Sequence, residues 1–208
     1  MKITRAILTV LLLGSIAFIA QQHPSAAPQR PAASPQPSTS GHRLAQSMQA
    51  KLDHIQENGQ RANPDQTPTV MTEEEVNDYV ASGRIVLPQG VKKLRMEGRS
   101  GVVTAFLNVD FDEIRAGQSS ANPLLSVFSG QHDVRVEADA AGSGGQGKVH
   151  VRDVSIDGFS VPRMALEFFV SKYITPKYPN VGLDSTFKLP NRVDMATVGY
   201  HKLTVTQK

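Results

Sequence analysis

Residues 148–189 read KVHVRDVSIDGFSVPRMALEFFVSKYITPKYPNVGLDSTFKL. A strand runs into a turn at Gly158, then a helix opened by Pro162, then a loop holding Pro176 and Pro179, then a second strand. Proline loses nothing at the first turn of a helix, because its missing N–H has no partner there and its ring pre-sets φ. Ser160 lies just upstream as a possible cap, although Val161, preceding a proline, is biased to extended backbone. From Arg163 to Ile174 the apolar residues are Met164, Ala165, Leu166, Phe168, Phe169, Val170, Tyr173 and Ile174. They do not form one narrow stripe, and a helix apolar nearly all round is expected to be covered on most sides. A sheet, a ligand, a membrane or a partner would each serve as cover.

Working backward, residues 132–141 alternate: Val134, Val136, Ala138 and Ala140 on one face, Asp133, Arg135, Glu137 and Asp139 on the other. The run Gly142 to Gly147 fits G-x-G-x-x-G on paper, but a strand follows it where a dinucleotide site needs a helix. It reads as a hairpin tip. On the returning strand the apolar phase slips from Val149 and Val151 to Val154 and Ile156, which predicts a β-bulge near Arg152-Asp153. Residues 101–111 also alternate, with Val103, Ala105, Leu107, Val109 and Phe111 on the dry face. Val91 to Glu97 alternates weakly, and Pro123 to Phe128 reads as an apolar plug over a sheet edge. After the helix, Ser185 to Leu189 is a strand, and Val193 to Thr206 a last one interrupted at Gly199.

Thr72-Glu73-Glu74-Glu75 is a capping box, with Thr72 as N-cap and Glu75 three residues on. Helix-start chemistry accounts for the three acids without a metal or an acid/base site. Upstream, Leu44, Met48, Leu52 and Ile55 lie on one face of a helix over 42–59. Its narrow stripe reads as an accessory helix packed on the domain or half-formed, followed by a linker over 60–70. The predicted class is α+β: a curved antiparallel sheet packed on one long apolar helix, the one after Pro162, and a shorter N-terminal helix.

The first 20 residues read as a leader, with Lys2 and Arg5 ahead of a 15-residue apolar run, Ala6 to Ala20. That run is short for a bilayer span and suits a signal peptide. Phe18 spoils cleavage after Ala20, so a cleaved signal and an uncleaved anchor both stand. Either sends residues 71–208 out of the cytoplasm, to the periplasm or to an attachment on the membrane. Residues 21–41 are rich in Pro, Ala, Ser and Gln and read as a disordered linker.

The formal charge is +3 over 208 residues, but residues 71–208 hold 16 Lys or Arg and 16 Asp or Glu, so the domain is neutral and no nucleic acid is implied. There is no Cys, and therefore no disulfide or thiol chemistry. Neither His132, His150 nor His201 stands in a metal-ligand spacing, G-x-S-x-G and the P-loop are missing, and no catalytic residue or cofactor is expected.

Thr72, Glu75, Asn77, Gly158, Val161, Pro162 and the apolar helix occur in an order that resembles tubular lipid-binding (TULIP-like) domains, including single-module bacterial envelope members. The resemblance spans residues 71–205. It implies a long curved sheet around a helix, a crevice for acyl chains and no catalytic residues. Leu107, Val109 and Val136 on the strands, with Met164, Phe168 and Phe169 on the helix, would line that crevice. The expected function is a non-enzymatic envelope protein that binds lipid or another apolar ligand. A single module would need a second copy or an envelope partner to complete a tube. The alternative is an envelope interaction or scaffold module with a filled core.

Overall fold

The computed structural model describes residues 39–116, 129–175, 179 and 181–208. The leader, most of the linker that follows it, and the segment expected as a plug at 123–128 lie outside them. The fold is α+β, with an open, curved antiparallel sheet of nine strands.

Helix α1 (Thr39–Gln60) comes first, then β1 (Thr69–Thr72), helix α2 (Glu73–Ala81), β2 (Val91–Arg99), β3 (Val102–Asp110) and the short helix α3 (Phe111–Ala116). They are followed by β4 (Gln131–Ser143), β5 (Gln146–Ile156), β6 (Phe159–Ser160) and helix α4 (Arg163–Phe169), which runs into a π-helical turn over Val170–Ile174. Strands β7 (Asp184–Lys188), β8 (Val193–Gly199) and β9 (Lys202–Gln207) complete the chain. Two short strands differ from expectation. β1 falls where a linker was read, and Val193 to Thr206 is a hairpin that turns at Tyr200-His201.

The 13-residue β4 organises the sheet. Along 131–139 one edge pairs with β3, and at Ala141 and Gly142 the same side passes to β8. Its other edge pairs with β5 along its length. The sheet divides at Gly142, where an added Cβ would stand 2.9 Å from both Ala196 Cβ and Leu189 Cδ1. Only glycine lets the strands approach so closely. Facing β4, the register slips between Glu137–Asp153 and Ala138–Val151, which leaves Arg152 as the extra residue. That is the predicted bulge, and it bends β5. Gly144 (φ 60) and Gly145 (φ 76) make the β4–β5 turn, so the glycine run is a hairpin tip.

The core face of the sheet is covered by α1 and α2. Met48 and Ile55 of α1, Met71 of β1 and Tyr79 of α2 are among the largest fully buried side chains. The narrow stripe of α1 therefore supplies the centre of the core, which corrects the reading of an accessory element. The helix after Pro162 differs in the opposite sense. None of residues 163–169 is buried, and Met164 is 80% exposed. The long helix that packs on the sheet is α1, not α4. A one-sided stripe suits a helix that lies on a sheet with its back in water. Apolar residues distributed all round leave α4 no orientation that covers them all.

Polar contacts lock α1 and α2 in place. The capping box forms: Thr72 Oγ1 accepts from the Glu75 amide at 3.3 Å, and Glu75 Oε2 accepts from the Thr72 amide at 2.8 Å. The Glu75 carboxylate also accepts from Lys51 Nζ and Ser47 Oγ on α1, each at 2.6 Å. At the other end of α1, buried Asn58 donates to the Asp65 carbonyl and to Gln207 Oε1, while Gln207 donates to the Ile55 and Asn191 carbonyls.

Candidate apolar-ligand site

The antiparallel register places Val91 opposite Val109, Leu107 opposite Val134, and Val134 opposite Ile156. These side chains form two adjacent rows at one end of the sheet, Val91–Val109 across β2 and β3 and Leu107–Val134–Ile156 across β3, β4 and β5. Leu107 and Val134 belong to both this patch and the main core, so the patch continues the core face beyond α1 and α2. Val109 and Phe111 are buried there, while Val91, Leu107, Ile114, Val134, Ile156 and Phe169 are only partly covered. β3 ends and α3 begins at Phe111, which turns that ring and Ile114 toward the same cluster.

α4 reaches this end of the sheet through a fixed turn. Asp157 (φ 49) and Gly158 (φ 84) both occupy left-handed backbone, which suits a tight hairpin between β5 and β6. His132 Nδ1 lies 2.6 Å from Asp157 Oδ2, and Asp157 Oδ1 accepts from the Asp133 amide at 3.0 Å. The hydrogen bond with Asp157 holds the His132 imidazolium above the usual imidazole range. The same bond, with the Asp133 amide, holds Asp157 below the usual carboxylate range. The His132 ring also meets Phe111 edge-on, with centroids 5.5 Å apart. Its Nε2 lies 3.1 Å from the Ser129 carbonyl oxygen, which is an acceptor and not a nucleophile.

The start of α4 is tied to β7. Arg163 donates to Asp184 at 2.9 Å and to Glu167 at 3.0 Å, and Asp184 also receives His150 Nδ1 from β5. The hydrogen bonds from His150 and Arg163 hold Asp184 below the ordinary carboxylate range. His201 pairs with Glu73 at 2.7 Å. Each of these three histidines thus meets one carboxylate. Among the described residues no three His, Asp or Glu side chains gather as a metal ion would require.

The six residues expected to line a crevice separate into three groups. Leu107, Val109 and Phe169 come together in the end cluster. Val136 lies in the main core beneath α1 and α2. Met164 and Phe168 are on the outer side of α4, and Phe168 is 47% exposed. Phe111, expected as the last dry-face residue of β3, is the first residue of α3 and reaches the cluster from there. Val91, Ile114, Val134 and Ile156 join the cluster through strand register, which no single stretch of sequence encodes.

What this end offers chemically is apolar contact edged by two ion-paired tethers. Another surface depression, at the far end of β5, is lined by Gly144, Gly145, Gln146, residues 186–193 and Lys208. Phe187, Leu189, Pro190 and Val193 give it apolar walls beside its polar ones, and it shares no residue with the apolar cluster at the other end. Among the described residues no helix is long and apolar enough to cross a membrane. No family model, curated protein or solved structure matches the chain.

Proposed function

We propose that the protein is a non-enzymatic binder of lipid or another apolar ligand, held between α4 and the open end of the β2–β5 face. One observation carries the reading: α4 is a largely apolar helix with no buried residue, set beside a cluster whose margins are only partly covered. Covering one large apolar side chain is worth roughly 1.5–3 kcal/mol. Contiguous apolar surface left uncovered marks a binding surface or an aggregation hazard. The tethers at Asp157 and Arg163 hold α4 in this exposed setting, which favours binding. The resemblance to tubular lipid-binding domains and the leader point the same way, toward an exported envelope protein.

Because α1 and α2 occupy the main core face, the proposed ligand is assigned to the end of the sheet and not to a central tube. The same observation supports the second reading, an envelope interaction module without a small ligand. Native mass spectrometry of protein purified from membranes separates the two. Bound lipid in wild type, reduced in Phe169→Ser, supports the first reading. Ligand-free protein under every gentle extraction, with no uptake of a fluorescent fatty acid, overturns it.

A further inference from the structure

We propose that the outer stripe of α4 docks on a lipid bilayer, so that the site described above opens against a membrane surface. The inference rests on that reading only for the identity of the site. Met164 and Phe168 stand four residues apart on one helical face, 80% and 47% exposed, and Phe159 just upstream is 79% exposed. Lys172 continues the same stripe, with its Nζ 5.4 Å from the Phe168 ring centroid. Two large apolar side chains followed by a cation form the pattern of a helix lying in the interface plane. There the rings enter the acyl boundary and the ammonium stays among anionic headgroups.

The rest of the helix fixes this orientation. Phe169 turns toward the sheet and packs on the Val109–Phe111 cluster. Arg163 is held by Asp184 and Glu167. Rotating the stripe inward would break both sets of contacts.

A bilayer, in preference to a protein, is favoured by the chain ahead of Thr39. Residues 6–20 are an apolar run, and 18 residues, Gln21 to Ser38, separate it from α1. A linker of that length spans about 25 Å as a flexible chain and about 55 Å as an extended polyproline-type chain. Retained as an anchor, the run keeps the domain that close to the membrane, and confinement raises the effective concentration of lipid surface at α4.

The chain contains no cysteine, so a single introduced thiol can be labelled cleanly. Met164→Cys, Phe168→Cys and, as a control, Tyr200→Cys in the β8–β9 turn would each carry the fluorophore NBD. Tyr200 is 71% exposed, which makes it a comparable surface site. The full chain is reconstituted into vesicles of phosphatidylcholine and phosphatidylglycerol. The labels at 164 and 168 are expected to brighten several-fold, shift to the blue and be quenched by nitroxide lipids, with the label at 200 unchanged. Labels at 164 and 168 that report water as the control does, or a response at all three positions alike, would overturn the proposal. The result is independent of the mass-spectrometric search for bound lipid: docking without a ligand removes the ligand reading alone, and a bound ligand without docking removes this one alone.

Discussion

Ile55→Ala and Met164→Ser make a paired test of which helix builds the core. Ile55 is 0% exposed on the sheet-facing side of α1, whereas Met164 is 80% exposed on α4. Ile→Ala removes three carbons, about 2.4 kcal/mol at ~0.8 kcal/mol for each buried methylene-sized group. The cavity left among Met48, Met71 and the strands adds to that, giving about 3–4 kcal/mol in total. Met164→Ser removes a side chain that is mostly in water and should stay within about 0.5 kcal/mol. Urea unfolding followed by circular dichroism reads both. With a slope of about 1–3 kcal/mol per molar urea, Ile55→Ala should lower the midpoint by roughly 1–4 M and leave the slope unchanged. A domain with stability of about 5–15 kcal/mol can absorb that loss and remain folded. If Met164→Ser cost more than about 2 kcal/mol while Ile55→Ala cost less than about 1, α4 and not α1 would cover the sheet, and the account of the exposed site would fail.

Three further outcomes are expected. Burial pushes the Glu75 carboxyl up, but the hydrogen bonds from Lys51, Ser47 and Thr72 outweigh it and leave the carboxyl below its ordinary 4.5. Its contribution is therefore present above about 4.5 and lost as pH falls through the lower folded value. In Glu75→Gln the acid limb of a stability–pH profile should be shallower, and an unchanged limb would count against the assignment. Asn58→Ala takes the donor from buried Gln207 Oε1 and the acceptor from the Asp65 amide, which should cost about 2–4 kcal/mol by urea unfolding. A loss under about 1 kcal/mol would mean that water replaces the network. Asp157→Asn keeps a residue that tolerates left-handed backbone and removes the charge that faces His132. The His132 pKa followed by NMR should fall toward the ordinary 6.5. The raised His132 stabilises below about 6.5 and loses this as pH rises through its folded value; the lowered Asp157 stabilises above about 3.8 and loses this as pH falls through its own. The clamp is thus complete between those limits, and an unmoved His132 titration would remove it.

Local chemistry was legible from the chain alone. The capping box at Thr72 and Glu75, the bulge at Arg152, the hairpin tip at Gly144-Gly145 and the dry faces of β3 and β4 all depend on neighbours within a few residues. Such features are set by backbone sterics, local hydrogen bonds and the two-residue period of a strand. Helix existence was legible too, for α1 from its apolar spacing and for α4 from Pro162 at its start and the apolar run that follows.

What each helix packs on was decided only in three dimensions. Apolar content drew attention to α4, yet the four-membered stripe of α1 has the shape that one face of a sheet can accept. The end cluster needs Val91, Leu107, Val134 and Ile156, which are up to 65 residues apart in the chain, to be brought into one patch through register across four strands. Hydrophobic attraction is non-directional, so a sequence states how much apolar surface must be hidden but not against what. Strand register, the division of the sheet at Gly142 and the prior claim of α1 on the core face assign the partners, and they leave α4 uncovered.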